Sequence, residues 1–426
     1  MGPERKRPGV SFRVDTFNAL SEPNYRLLWL GTLTTQVGRS MRVFIRGYLV
    51  YEITGSAVWL GAVSAALAFP QLFLPFAGGV LADRMDRRRL LITTESLLVV
   101  LWFVTSMVIV ARMPYLEWYL AFAAVLSGTI QSFGRPARQA LIPNVVSSQN
   151  LMNAIALDAT VQRLSTIIAP TLGGLVVAVI GAGGGFFVTT ALQFMTVFLL
   201  FMMNWEKQVP MQTRQTPLNS LMEGFDYVRR DAVIVGIVAV GAAAALFGAG
   251  YGAFMPKFAK DVLNVGPQGL GLLLTANGIG GVVGGLVMAS MGNFKHKGAL
   301  QLAAGLSKSV FLIMFAQSRW FPLCFILLMP VSLTTLAFQT VNDTILQLVA
   351  PEHLRGRILA TRFFLHGLAA FGLLPLGLIA EAYGVPFSIT LGATLFAIAL
   401  VLVSLFLPAV RRYRSDITPQ VGAGGD

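Results

Sequence analysis

Long apolar stretches recur along the whole chain, and short polar connections separate them. A helix needs about 20 apolar residues to cross the hydrocarbon core of a bilayer, where backbone groups find no water to bond. The pattern therefore predicts an all-α membrane protein with twelve transmembrane helices. The predicted spans are 24–50, 57–82, 90–111, 116–134, 152–180, 184–204, 232–256, 268–291, 298–317, 320–348, 356–382 and 386–408.

The longest hydrophilic interior stretch divides these helices six and six, which predicts two pseudo-symmetric bundles. The residues before predicted helices 5 and 11 are similar, and the same spacing pairs Arg163 with His366 inside those helices. A parallel repeat of this kind places a binding site between the halves, near the bilayer midplane. The predicted divisions are a cytoplasmic tail (1–23), a first bundle (24–204), a cytoplasmic linker (205–231), a second bundle (232–408) and a cytoplasmic tail (409–426).

The net charge of +13 is compatible with nucleic-acid binding, but its distribution along the chain argues against it. Most lysines and arginines lie in the two tails and in every second loop, and the other loops hold few. This bias is typical of cytoplasmic loops, so both termini are expected in the cytoplasm of a bacterial-type inner membrane. We expect the basic excess to face membrane lipids rather than nucleic acid.

The sequence lacks the motifs of several other function classes. It has no Gly-x-x-x-x-Gly-Lys-Ser/Thr loop for ATP, no His/Cys cluster with metal spacing and no catalytic triad. Cys324 is the only cysteine, which excludes an intramolecular disulfide and a cysteine-based metal site. We therefore expect no enzyme activity, no cofactor and no metal. Because the repeat supplies its own internal symmetry, we expect a monomer.

A dense charged segment lies between predicted helices 2 and 3, in a chain with only 12% charged residues. One interpretation is that its arginines merely fix topology. That role needs no acid, so the hypothesis is a latch in which Asp83 approaches the positive end of helix 11 and holds the halves together on the cytoplasmic side. The latch candidates are Gly79, Asp83, Arg84, Arg87 and Arg88.

Predicted helix 1 carries polar side chains at three- and four-residue steps, which places them on one face: Gln36, Arg39, Arg42 and Arg46. An arginine at mid-bilayer costs roughly 2.5–3.5 kcal/mol on insertion scales, so a lipid-facing position is unfavourable. We expect this face to line a cavity and bind an anionic group, unless the arginines pair with acids or extend outward. Further candidates for substrate binding are Arg163, Gln339, Arg362 and His366.

Two acidic residues within predicted helices are candidates for carrying protons, Asp158 and Asp343. An acidic side chain in a low-dielectric cavity holds a proton more tightly than in water, and it could exchange that proton in each cycle. The alternative is a structural salt bridge to Arg39, Arg42 or Arg362. We expect Glu95, near the cytoplasmic end of predicted helix 3, to reach the lipid headgroups.

Over essentially its whole length the chain resembles the major facilitator superfamily. The charged segment is similar to the family's signature loop Gly-x-x-x-Asp-Arg-x-Gly-Arg-Arg, with Asp86 in place of the second glycine. Residues 169–174 resemble the Gly-Pro-x-x-Gly-Gly motif of proton-coupled antiporters. That resemblance implies close helix packing at its small residues and a bend at its proline. The packing candidates are Pro170, Gly173 and Gly174.

Segments 51–57, 136–140 and 354–357 look like the branch that includes the enterobactin exporter and similar secretion-type permeases. Drug antiporters usually carry an arginine inside helix 4, whereas predicted helix 4 has none and Arg135 lies at its end. The resemblance implies a secondary transporter that exports a small organic compound, anionic or amphipathic, by alternating access and proton antiport. The alternatives are an uncoupled organic-anion importer, a lysolipid flippase, and a sensor or scaffold without transport.

Overall fold

The structure, a computed structural model, describes residues 17–74, 78, 81, 85–204, 231–248, 250–292, 294–350, 355–411 and 413, with all of their side chains except those of 232, 355–364 and 366. Regular structure in these ranges is helical, without a strand. The main helices are α1 (Pro23–Thr54), α2 (Ala57–Ala68), α3 (Arg87–Val110), α4 (Leu116–Val145), α5 (Leu151–Phe201), α6 (Ala232–Phe247), α7 (Gly250–Lys257), α8 (Pro267–Ser290), α9 (Lys297–Gln317), α10 (Phe321–Val349), α11 (Arg355–Tyr383) and α12 (Val385–Phe406). Shorter helical turns occupy Asn18–Ser21, Phe258–Val262 and Pro408–Arg411.

Local sequence signals set several helix ends. The side chains of Ser56, Asp86 and Asp231 accept hydrogen bonds from backbone N–H groups in the first turns of α2, α3 and α6. A proline occupies the first turn of α1, α8, α10 and α12, where its missing N–H costs nothing. Gly55 ends α1 with φ 63°, in the left-handed region that favours glycine.

Helix α5 covers two of the predicted spans, and it breaks at the position where the sequence separates them. Gly181 has φ 73° and ψ 174°, a backbone conformation that is essentially restricted to glycine. The helix therefore consists of a first segment (151–180) and a second segment (182–201).

Helix α4 is longer than predicted. It runs through Pro136 and Pro143 to Val145, whereas the prediction ended at 134. Buried Ala137 and Leu141 hold this extension against α3, next to Leu90 and Leu91. The expectation of a helix 4 without basic residues was wrong, because the extension includes Arg135 and Arg138.

Eight helical segments in the described ranges are long and apolar enough to cross a membrane, and one of them is the whole of α5. Helices α1 and α4 are long, but their polar side chains keep them out of this group. The described apolar part of α11 is shorter, at Gly367–Tyr383. These segments agree with a multi-pass membrane protein. The predicted linker (205–231) lies outside the described residues except for its last residue, and most of both predicted tails does as well.

The helices pack mainly within an early group, α1 to α5, and a late group, α6 to α12. Helix α1 lies along α5, α3 contacts α4 and α5, and α2 contacts α4. In the later part of the chain α10 packs against α8 and α9, and α11 packs against α6 and α12. The early and late helices meet mainly along two pairs, α5 with α8 and α2 with α11. A cavity between the early and late helices is therefore bounded by these two pairs.

A further set of contacts joins early and late helices near Gly55, and we call this region the α1–α2 end. The Tyr51 hydroxyl donates to both oxygens of Asp261 at 2.6 Å. Lys257 Nζ donates to the carbonyl oxygen of Gly55 at 3.3 Å. The backbone N–H of Ala57 donates to Glu381 Oε2 at 2.6 Å. The helices are therefore closed against each other at this end.

Candidate functional site

A cavity of about 400 Å³ lies between the early helices and α8 and α10. Its described lining contains five arginines and no aspartate or glutamate. The arginines are Arg39, Arg42, Arg46, Arg135 and Arg163. Aromatic side chains, among them Phe44, Trp102 and Phe186, form part of the remaining wall. The cavity therefore combines concentrated positive charge with an apolar surface.

The structure brings together most of the sequence-predicted binding residues whose side chains it describes. Three arginines of α1 line the cavity together with Arg163 of α5. Gln36 is half-buried and Gln339 is exposed, and neither belongs to the lining. The side chains of Arg362 and His366 lie outside the described residues. Arg135 also lines the cavity, although it was not among the predicted binding residues, because the predicted helix 4 ended before it.

Arg42 is the most buried of these arginines, with only 6% of its surface exposed. One terminal nitrogen donates to the carbonyl oxygen of Thr189 at 3.1 Å, and the other donates to Gln193 Oε1 at 2.8 Å. Its guanidinium carbon lies 5.1 Å from the centre of the Trp102 ring. Hydrogen bonds and a cation–π contact offset part of the cost of burying a charge. The guanidinium is therefore fixed in orientation without being neutralised.

A buried polar chain continues from Arg42 to α4. Gln193 Nε2 donates to Glu95 Oε2, and the other carboxylate oxygen lies 2.7 Å from Arg138. Arg138 also donates to the hydroxyls of Thr32 at 2.9 Å and Thr35 at 3.2 Å. The chain Arg42–Gln193–Glu95–Arg138 thus crosses four helices, and we call it the buried network.

The expectation that Glu95 reaches the headgroups was wrong, because the residue is only 5% exposed. Its position follows from the extension of α4, which places Arg138 opposite it. Sequence reasoning also missed Gln193, an amide within an apolar span. An uncompensated amide is unfavourable in such a span, and this was the available signal.

Three of the cavity arginines have no polar partner among the described residues. The guanidinium groups of Arg39, Arg46 and Arg163 make neither a hydrogen bond nor an ion pair with those residues. Asp158 accepts from Gln162 Nε2 at 2.8 Å and forms no ion pair with Arg39 or Arg42 in this structure. The alternative pairing with Arg362 lies outside the described side chains. Neither Asp158 nor Asp343 lines the cavity. The cavity charge is therefore available to a ligand.

Part of the predicted latch is described, and its contacts lie within the early helices. Arg87 donates to the carbonyl oxygen of Ala140 at 3.0 Å and to Asn144 Oδ1 at 2.8 Å, both on α4. Arg88 donates to the last carbonyls of α5, at 3.0 Å each. Gly79, Asp83 and Arg84 lie outside the described residues, so the latch stays a prediction.

The residues of the predicted packing motif lie between α1 and α8. A methyl group added at Gly173 would lie 3.0 Å from the Phe44 ring, and one added at Gly174 would lie 2.6 Å from the carbonyl oxygen of Pro267. Pro170 is buried and lines the cavity. This stretch of α5 therefore forms both a helix contact and part of the cavity wall.

Comparison with known proteins agrees with this architecture. The family model of transmembrane secretion effectors, within the major facilitator superfamily, matches residues 14–420. The multidrug efflux pump Tap of Mycolicibacterium fortuitum is 27% identical over 415 residues, which cover 90% of this chain and 96% of Tap. The enterobactin exporter EntS of Escherichia coli is 27% identical over 411 residues, which cover 95% of this chain and 96% of EntS.

Solved structures extend the likeness to the fold. A bacterial homologue of the human lysosomal transporter Spinster, inward-facing and occupied, matches with a TM-score of 0.72 and 13% identity, covering 91% of this chain and 96% of that one. At this identity the likeness concerns the fold alone. The family match and the apolar helices confirm the resemblance inferred from the signature loop. The chain therefore belongs to the transmembrane secretion effector family of the major facilitator superfamily, and it is a multi-pass membrane transporter rather than an enzyme.

Proposed function

We propose that this protein exports a small organic anion by alternating access, in exchange for protons. The observation that carries the proposal is the cavity, whose described lining has five arginines and no acid. Burial of unpaired positive charge is costly, and a ligand anion would compensate for it. The relatives Tap and EntS, which are exporters by name, support the outward direction.

An amphipathic cargo suits the cavity better than a small inorganic ion. The volume of the cavity, about 400 Å³, falls in the usual range for sites of small organic molecules. Phe44, Trp102 and Phe186 provide apolar and aromatic surface beside the charges. We therefore propose a cargo with an apolar or aromatic body and at least one anionic group.

The proposal includes twelve spans in two six-helix bundles with both termini in the cytoplasm. The eight candidate segments become nine when α5 is counted as two segments, and α1, α4 and α11 bring the number to twelve. Helices α1 to α5 form the first bundle and α6 to α12 the second. The positive-inside bias then places the α1–α2 end on the extracytoplasmic side.

Alternating access requires that the contacts at the α1–α2 end break and re-form. Two of them involve carboxylates, Tyr51 with Asp261 and Ala57 with Glu381. With the proposed orientation, closure here corresponds to a state open toward the cytoplasm. Release of the anion outside would follow separation of these pairs and closure at the opposite end, where Asp83 is the proposed latch.

Purified full-length protein in liposomes containing a pH-sensitive dye tests the function. A panel of anionic, neutral and cationic compounds is added with and without a pH gradient. We expect proton movement with anions alone, its loss in Arg42→Ala, and normal activity in Arg319→Ala, which removes an exposed arginine in the α9–α10 turn. Proton movement with cations alone, or none with any compound, would contradict the proposal.

The same assay tests the proton carrier. We propose Asp158 or Asp343, with preference for Asp158, which lies in the segment of α5 that packs against α8. Replacement by asparagine removes the titratable group and keeps the shape. If anion transport by both Asp158→Asn and Asp343→Asn keeps its full dependence on pH, neither residue carries the proton.

A further inference from the structure

We propose that Gln193 determines the charge selectivity of the cavity. Its amide separates the Glu95 carboxylate from the Arg42 guanidinium, which leaves the charge of Arg42 to an anionic cargo. The proposal rests on the proposed function, because it assumes that the cavity binds the cargo. It assigns the role of specificity-determining residue to a neutral side chain outside the cavity lining.

Both polar atoms of the Gln193 amide are hydrogen-bonded, and its partners allow only one orientation of the amide. The side chain is fully buried, with 0% of its surface exposed. Its oxygen accepts from Arg42 at 2.8 Å, and its nitrogen donates to Glu95. Because a guanidinium only donates and a carboxylate only accepts, these two neighbours fix the orientation of the amide. Gln193 is thus a bridge that both charged groups hold in place.

Among the described residues, the charges that face Glu95 come from two helices. Helix α4 contributes Arg138, which forms an ion pair with Glu95 at 2.7 Å between guanidinium nitrogen and carboxylate oxygen. Helix α1 contributes Arg42 and Arg39, neither of which lies within ion-pair distance of Glu95. The second segment of α5 contributes only the uncharged Gln193. The carboxylate is therefore paired with Arg138, although two further cations are near.

Without the amide, the carboxylate and the Arg42 guanidinium would face each other in a low-dielectric interior. Opposite charges attract strongly there, so Glu95 would neutralise Arg42. With the amide present, Arg42 donates, within the part of the chain that the structure describes, only to the neutral acceptors Thr189 and Gln193. Three of its five N–H groups remain without a described partner, and an oxyanion that offers two acceptor oxygens satisfies such a group well.

Two variants change this separation in different ways. Gln193→Glu introduces a carboxyl group where Oε1 now accepts from Arg42. Gln193→Leu removes both hydrogen bonds of the amide and keeps a side chain of similar volume. In both we expect weaker binding of an anion and stronger binding of a cation of similar shape. The first variant adds a negative charge beside the cavity, and the second removes the amide that keeps the Glu95 carboxylate from pairing with Arg42. A residue that served only for packing would not change the ratio of anion to cation affinity.

The probes are naphthalenesulfonate, whose sulfonate stays ionised over the whole usable pH range, and naphthylmethyl-trimethylammonium, which has the same ring with a positive charge. Binding to the purified full chain is measured by titration calorimetry at neutral and at acidic pH. The matched control is Gln317→Glu, which makes the same substitution at an exposed glutamine bonded to Thr390.

We expect Gln193→Glu to weaken naphthalenesulfonate binding by about tenfold or more at neutral pH, equivalent to roughly 1.4 kcal/mol. The introduced carboxylate faces Arg42 on one side and the Glu95 carboxylate on the other. Acidification should restore most of the loss, because protonation removes the added negative charge together with its repulsion from Glu95. Gln193→Leu should shift the anion-to-cation ratio in the same direction. If Gln193→Glu fails to fold, the ratio measured for Gln193→Leu alone decides.

The possible results separate the two proposals. Wild-type protein that binds the sulfonate, together with Gln193 variants of unchanged anion-to-cation ratio, would overturn the role of Gln193 and leave the proposed function intact. A wild-type protein that prefers the cation would overturn both. The expected result is anion preference in the wild type and in Gln317→Glu, and its loss in both Gln193 variants.

Discussion

Glu95 of α3 and Arg138 of α4 form a buried ion pair, with 2.7 Å between the carboxylate oxygen and the guanidinium nitrogen. The pair connects the buried network to α1 through Thr32 and Thr35. Removing one partner of a buried pair leaves an uncompensated charge and typically costs about 3–5 kcal/mol. We therefore expect Glu95→Gln and Arg138→Gln each to lower the thermal stability of the purified protein strongly.

The double variant Glu95→Gln/Arg138→Gln should be less destabilised than the sum of the single variants, because no unpaired charge remains. Unfolding temperatures in detergent measure all three, with Arg319→Gln as a control at an exposed arginine. Strict additivity of the two single effects would show that the residues act independently, against the ion pair described above.

The bond between Tyr51 and Asp261 should control opening at the α1–α2 end. Tyr51→Phe removes the hydroxyl that donates to both carboxylate oxygens. A hydrogen bond to a charged group contributes about 1.5–3 kcal/mol, so the open state should gain about tenfold or more in population. Spin labels at the exposed positions Ile53 and Tyr383, in a Cys324→Ala background, measure the distance across this end.

We expect a longer distance component in Tyr51→Phe and none in Tyr115→Phe, which removes the hydroxyl of an exposed tyrosine before α4. Identical distance distributions in wild type and Tyr51→Phe would mean that the other contacts at this end suffice for closure.

The α5–α8 contact should tolerate no side chain at Gly278. A methyl group added there would lie 2.6 Å from the carbonyl oxygen of Thr166, which is too close for any contact. We expect Gly278→Val to push α8 away from α5 and to abolish transport. The control is Gly252→Ala in α7, where the added atom meets nothing within 4 Å.

A cross-link reports this separation directly. The hydroxyls of Thr171 and Thr275 lie 2.5 Å apart across the α5–α8 contact. Cysteines at these two positions, with Cys324 replaced, should form a disulfide in the otherwise native chain and in Gly252→Ala. The disulfide should be absent or slow in Gly278→Val, and unchanged cross-linking would contradict the predicted separation.

The sequence predicted the arginine face of α1 because its spacing is a local property of one helix. The break near Gly181 was also predictable, since a run of small residues separates two apolar stretches. The partners of Glu95 were not, because they come from α4 and the second segment of α5, and no periodicity reports a contact between helices. The end of α4 was misplaced because Pro136 and Pro143 indicate a helix end, which tertiary packing overrides here.

The hydrogen bonds of Glu22, the residue before α1, make the stability of the fold depend on pH. Its carboxylate accepts hydrogen bonds from Asn150 Nδ2 at 2.9 Å and from the backbone N–H and hydroxyl of Ser147. The Asn150 bond is the main cause of a pKa of Glu22 below its ordinary value, and the Ser147 bonds lower it further. The fold therefore favours the ionised form.

A carboxyl group whose pKa is lower in the folded state stabilises the fold above its unfolded pKa, and this contribution is lost as the pH falls through the folded pKa. We expect Glu22→Gln to lower the unfolding temperature at neutral pH. The difference from wild type should shrink below about pH 4, where the unfolded glutamate is itself protonated. Unfolding temperatures of both proteins across this range test it, and a difference independent of pH would show that shape rather than charge makes Glu22 stabilising.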